Sequence, residues 1–281
     1  MSKENFTRYS MRENMLKKVL IRVDYDGVTD ISKWVETFKS TDALKCKFSN
    51  YSQVQLNKAK FDLSNNDEIA KQRSIPIKYL ESEPIHRFYD SLFTNRQDRI
   101  VMDIARLFMT FEIDCYQYKT IDDYFDYLLS YLNVFLNFDT YIKIKRIGIR
   151  KTGGESFAKA EELNKVFESD YFECPKIDDE NRVLMERSFL DKFIKELNPG
   201  KESSRLVKVN YATHCRCTNG GKTFQAILDI DGYVDDFIIK KNQLSFPSDL
   251  SSTFKDINNY LFELYKKSVT EQYLSEHGNK E

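Results

Sequence analysis

Tyr141-Ile-Lys-Ile-Lys-Arg-Ile-Gly-Ile-Arg150 lies at the midpoint of a chain of 281 residues, and its reading decides the fold. Isoleucines alternate with basic residues, the pattern of a strand with one buried face. The alternation changes phase, because Ile142 and Ile144 point one way in a regular strand and Ile147 and Ile149 the other. Either a bulge near Lys145-Arg146 restores the phase, or the strand is regular and Arg146 and Arg150 share a face with Ile142. In the regular strand Gly148 sits between two arginines ~13 Å apart at ~3.3 Å per residue. A glycine there leaves room for another backbone, a ring or a ligand.

Upstream, Lys17 to Tyr25 is β-branched and apolar, which predicts a strand ending at the Asp26-Gly27 turn. Asp30 caps a helix with the stripe Ile31, Trp34, Val35 and Phe38. Further strands are predicted over Lys47 to Leu56, Ile85 to Phe93 and Arg99 to Ile113, with an exposed loop at 62–74. Asn95 to Asp98 supplies a hairpin turn. Thr120 caps a helix reaching Asn137, whose stripe is Ile121, Phe125, Leu128, Leu132 and Phe135.

Downstream, Gly153-Gly154 is expected to end the midpoint strand, with a helix over Ser156 to Glu168. Residues 169–203 read as an insertion. It carries an acidic patch (Glu173, Asp178, Asp179, Glu180) and a short helix with Leu184, Phe189, Phe193 and Leu197, closed by Pro199-Gly200. Strands follow over Arg205 to Cys217 and Thr223 to Val234, joined at Asn219-Gly220-Gly221. An edge strand is expected at Phe237 to Lys240, then a closing helix from Asp249 to Leu274.

The two halves, 1–138 and 139–281, repeat one order: strand, short helix, antiparallel strands, long helix. Phe111-Glu-Ile-Asp-Cys-Tyr116 echoes Leu228-Asp-Ile-Asp-Gly-Tyr233 near the end of each series. The expectation is an α+β fold of duplicated β-α-β(n)-α halves, as two units or one continuous domain. They would build a curved, mainly antiparallel sheet with the long helices on one face. That layout resembles the saddle of the TATA-box-binding protein or a helix-grip domain, a likeness of fold that carries no function.

A formal charge of −1 gives no global basic field for nucleic acid. Five cysteines, odd in number and irregularly spaced, fit a reducing cytosol. The start, Met-Ser-Lys-Glu-Asn, has no apolar signal core, and no window reaches the ~18 apolar residues of a membrane helix. A cytoplasmic protein without membrane contact is expected.

The candidate binding residues are Arg146, Gly148, Arg150 and Lys151, since two guanidinium groups beside a gap can fork onto a carboxylate or phosphate. The competing use is structural, with the arginines paired to acids on neighbouring strands. Asp229 and Asp231, with Glu112 and Asp114, are the ion-pair candidates. His214-Cys-Arg-Cys217 lacks the second cluster a zinc site needs and reads as core cysteines. Asp122, Asp123 and Asp126 read as helix-start residues. His86, His214 and His277 sit in no catalytic frame, and no phosphate loop or cofactor motif is present.

Arg146-Ile-Gly-Ile-Arg150, Leu228-Asp-Ile-Asp231 and the closing helix with Phe262 and Ser268-Val-Thr270 resemble a sporadically distributed bacterial family of unknown function. Its members have an Arg-Ile-Gly-Leu-Arg-Tyr core motif and an Asn-x-Leu stretch like Asn14-Met-Leu16. Here Lys151-Thr-Gly153 replaces the Tyr and Asn that usually follow the second arginine. The resemblance carries no established activity. Its patchy distribution implies mobile genes, such as antiphage defence or toxin–antitoxin cassettes. The expected function is a non-catalytic binding or regulatory component acting through a protein partner encoded nearby, with homo-oligomerisation a further expectation. The alternatives are a nucleic-acid or nucleotide binder using the Arg146/Arg150 face, and a metal-dependent hydrolase or nuclease using carboxylates such as Asp229 and Asp231.

Overall fold

Alternating burial along the strands gives the sheet one apolar face. In β1 (Leu16–Asp26), Val19, Ile21, Val23 and Tyr25 are buried while Leu20, Arg22 and Asp24 stay partly open. The computed structural model describes residues 3, 6–8, 15–28, 30–40, 48–61, 77–89, 99–115, 120–138, 141–159, 162–171, 186–200, 204–218 and 223–278. After β1 come α1 (Ile31–Ser40), β2 (Asn50–Phe61), β3 (Ile77–Tyr89), β4 (Arg99–Ile104), β5 (Phe108–Asp114) and α2 (Asp122–Phe138). Then follow β6 (Lys143–Phe157), α3 (Leu163–Val166), β7 (Glu186–Leu197), β8 (Arg205–Thr218) and β9 (Thr223–Asp235). The chain closes with α4 (Asp236–Lys241), α5 (Leu250–Ser268) and α6 (Glu271–His277).

The fold is α+β, with these strands in one sheet ordered β2-β3-β4-β5-β1-β6-β9-β8-β7. Every neighbouring pair is antiparallel. The strands of each half lie together, and the halves meet where β1 pairs with β6. The helices pack on the apolar face. Trp34 of α1 meets Phe135 of α2 edge-on at 4.6 Å between ring centres, and Phe135 lies 4.4 Å from the Tyr25 ring. At the other end Gly232 of β9 lets Leu261 and Ile257 of α5 press onto the sheet. No helix among the described residues is long and apolar enough to cross a membrane.

The midpoint strand does carry the bulge. Asp24 pairs with Arg146 but Tyr25 pairs with Ile144, so Lys145 is the extra residue and both isoleucine pairs turn toward the core side. Six expectations are corrected. Gly153-Gly154 does not end β6, which runs on to Phe157; a Cβ on Gly153 would strike the Met15 carbonyl, and one on Gly154 the Ala226 carbonyl. These glycines admit close backbone approach from both neighbouring strands. The helix expected at 156–168 shrinks to α3.

The strand expected over Arg99 to Ile113 is a hairpin, β4 and β5. Its turn contains none of the usual turn residues. It is tied instead by Ala105 N–H to the Phe108 carbonyl (2.8 Å) and by the buried Tyr25 hydroxyl, which lies 2.6 and 2.9 Å from the Ala105 and Phe108 carbonyls. The helix expected within 169–203 is β7, so that stretch supplies an edge strand of the sheet. The strand expected at Phe237 to Lys240 is helix α4, because the Asp235 carboxylate accepts from Ile238 N–H at 3.1 Å and Lys240 and Lys241 fill the last turn. The closing helix breaks at Val269, which bridges to Phe167, and Thr270 starts α6 by accepting from Tyr273 N–H at 3.1 Å. The 62–74 loop, the 95–98 turn and the acidic patch of Glu173 and 178–180 lie outside the described residues.

Candidate functional site

The sheet face away from the helices is paved with paired charges. Burial of the odd-numbered residues Ile147 and Ile149 in β6 fixes Arg146, Gly148, Arg150 and Thr152 on the open side. Arg146 Nη2 donates to Asp231 Oδ2 at 2.9 Å, and Asn210 of β8 donates to the same oxygen at 3.2 Å. Asp24, directly opposite Arg146, accepts from Arg22 Nε at 2.6 Å and lies 4.0 Å from Arg146 Nη1. The line Arg22, Asp24, Arg146, Asp231, Asn210 thus crosses β1, β6, β9 and β8 with alternating sign.

Arg150 forks onto Asp229, with Nε at 2.8 and 3.1 Å from the two oxygens and Nη2 completing the grip. The bonded carboxylate holds the guanidinium pKa above its usual value. Burial pushes the Asp231 carboxyl above the usual range, against the pull of Arg146, Asn210 and Arg150. On the other side of β1, Lys18 donates to Glu112 at 2.7 Å and lies 3.8 Å from Asp114.

Gly148 is filled rather than vacant. It lies directly opposite Tyr233, whose Cβ would stand 2.9 Å from a Cβ placed on the glycine. The Arg146 guanidinium stacks over the Tyr233 ring at 4.2 Å. Sequence reasoning overlooked Tyr233, Asn210 and Asp24; their even and odd positions place Tyr233 and Asn210 on the open face, but their contacts depend on strand register. Among the described residues no group of three or more His, Cys, Asp or Glu is arranged to hold a metal. Cys215 is buried in the core, His214 Nδ1 bonds Ser188 at 2.6 Å, and Thr120 caps Asp122 N–H at 3.3 Å. The side chains of Cys217, Asp123, Asp126 and Phe125 lie outside the described residues.

Lys151 parts from the other three candidates. It occupies the helix side of β6, where its Nζ donates to Asn258 Oδ1 of α5 at 2.6 Å. Arg8 donates to the Asn258 carbonyl at 3.0 Å. Burial, then the like charge of Arg8, depress the Lys151 ammonium to about 7. Between that value and the ordinary lysine range the unfolded chain holds a proton that the folded chain releases. Stability therefore rises with pH through this window, and the cost of the buried charge is fully present below it. The unfolding free energy read from urea curves is expected to climb from pH 7 to pH 9 by on the order of 2 kcal/mol, and Lys151→Met should flatten the climb. Parallel pH profiles for the two proteins would contradict this assignment.

No protein-family model, curated protein or solved structure matches this chain.

Proposed function

We propose that this protein is a non-catalytic binding component whose open sheet face docks a partner protein. One observation carries it: Arg22, Arg146 and Arg150, the arginines at the middle of the open face, each already hold a carboxylate of that face. The surface is a mosaic of alternating charge across β5, β1, β6, β9 and β8. Polyanions are captured by a field of one sign; a mosaic selects a protein surface of matching pattern. The bacterial defence or toxin–antitoxin setting belongs to the same proposal and rests on the family resemblance.

The test uses the full tagged chain, produced with the product of its neighbouring gene. Co-purification is expected. Arg150→Asp combined with Asp229→Arg keeps the pair but inverts the mosaic, so it should fold normally and lose the partner. Indifference to every neighbouring product would sink the proposal. Salt-sensitive retention of RNA or DNA would favour the nucleic-acid reading, and thermal stabilisation by Mg²⁺ or Mn²⁺ the hydrolase reading.

The proposal extends to the duplication. Setting Glu112 and Asp114 equivalent to Asp229 and Asp231 makes residues 16–24 of β1 equivalent to 148–156 of β6, since both strand pairs then share one register. Lys18 thereby corresponds to Arg150. Each of these cations faces the second acid of its echo and bonds the first: Lys18 takes Glu112, Arg150 takes Asp229. The implied two-fold axis passes through the opposed pair Val19 and Lys151. Residues 16–24 with 108–114 should superpose on 148–156 with 225–231; a misfit larger than one strand spacing, about 4.8 Å, would remove the duplication.

A further inference from the structure

β7 ends the sheet, and its outer edge is unpaired among the described residues. It exposes Phe189, Leu190 and Ile194 at 51, 59 and 53%. A bare apolar edge is a template for another strand. The open-face reading above plays no part in what occupies this edge.

We propose that the occupant is a second copy of this chain, pairing β7 to β7 antiparallel in a register centred on Phe193. A two-fold axis perpendicular to the sheet keeps each face continuous, so the symmetric registers are centred on a single residue. Centring on Phe193 sets Asp191 against Lys195 of the second copy, twice by symmetry, and Phe189 against Leu197, also twice. Phe193 meets its own counterpart on that face. On the opposite, solvent-open face the direct pairs are Lys192 with Ile194 and Leu190 with Glu196 of the second copy, and the matched contacts, Lys192 to Glu196 and Leu190 to Ile194, are diagonal.

Other registers are worse. Centring on Asp191 or Lys192 puts like charges at the axis. Centring on Leu190 sets Phe189 against Asp191. Centring on Ile194 pairs Lys192 with Glu196 on the open face but sets Asp191 against Leu197 and Phe193 against Lys195 on the groove side, whereas centring on Phe193 matches every pair on that side. The same lysines that deter indiscriminate strand addition therefore select one self-complementary pairing. A groove of about 310 Å³ runs beside this edge, lined by Phe189, Phe193, Tyr171, Tyr211 and Tyr260. The two-fold axis would bring the phenylalanine-lined sides of both grooves together.

Light scattering and sedimentation of the full chain test this. The wild type is expected at twice the 33.3 kDa chain mass. Lys195→Asp opposes two acids on each side of the axis and should weaken the dimer about tenfold or more. Asp191→Lys with Lys195→Asp re-forms the pairs and should restore it. These positions are exposed, so thermal melts of the three proteins, taken at dilutions where all are single chains, should coincide. A wild type that stays at the single-chain mass at every concentration overturns the proposal, even if the edge binds some other peptide. So does a Lys195→Asp variant as dimeric as the wild type, or a double variant that fails to recover.

Discussion

Gly154→Val is expected to destabilise the protein by about 3 kcal/mol or more, enough to consume much of the stability of an ordinary domain. The position is pinched from two sides. Its N–H donates to the Met15 carbonyl at 2.9 Å, and any Cβ would run into the Ala226 carbonyl of β9. Backbone atoms cannot swing aside as a side chain can, so the β6 ladder must open on one side. Gly200 offers the contrast: its φ is +77° but a Cβ there meets nothing within 4 Å. Gly200→Ala should therefore cost only about 1 kcal/mol. Urea unfolding of both variants checks the pair, and equal midpoints would refute the pinch.

The second large effect is expected at Arg146. Alanine there strips Asp231 of its guanidinium partner, leaves Tyr233 without its stacked cation, and removes the link between Asp24 and β9. Asp231 is already pushed toward its neutral form by burial, so a carboxylate left with Asn210 but no cation is costly at neutral pH. A loss of about 2 kcal/mol is expected, with Asp231 titrating higher still. Arg150 is more exposed, at 52% of its side chain against 29% for Arg146. Its replacement should cost about 1 kcal/mol or less.

The sheet was legible wherever hydrophobic period and strand period agreed. β1, β9 and the caps at Asp30 and Thr120 follow from such local signals. Residues 186–197 misled because Phe189, Phe193 and Leu197 are four apart, and a spacing of four serves one face of a helix and of a strand alike. The 104–108 turn was invisible because Tyr25, some 80 residues away in sequence, supplies the tie that turn residues normally make locally. At Phe237 to Lys240 the β-branched letters were overruled by an aspartate cap at Asp235. For the candidate site, parity alone puts Arg146, Gly148 and Arg150 together and Lys151 on the opposite face. Register was not legible. Arg150 stands opposite Asp231 yet bonds Asp229, and the Gly148 gap is taken by Tyr233.

Guanidinium–carboxylate pairs cross the middle of the sheet from strand to strand and balance the charge of its open face. The most direct measurement is a double-mutant cycle on Arg146 and Asp231, using Arg146→Ala, Asp231→Ala and both, followed by urea unfolding at pH 7. A coupling of about 1 kcal/mol or more is expected, with the double variant nearer the wild type than the sum of the single losses. Additive single losses, or an Arg146→Ala protein as stable as the wild type, would contradict it.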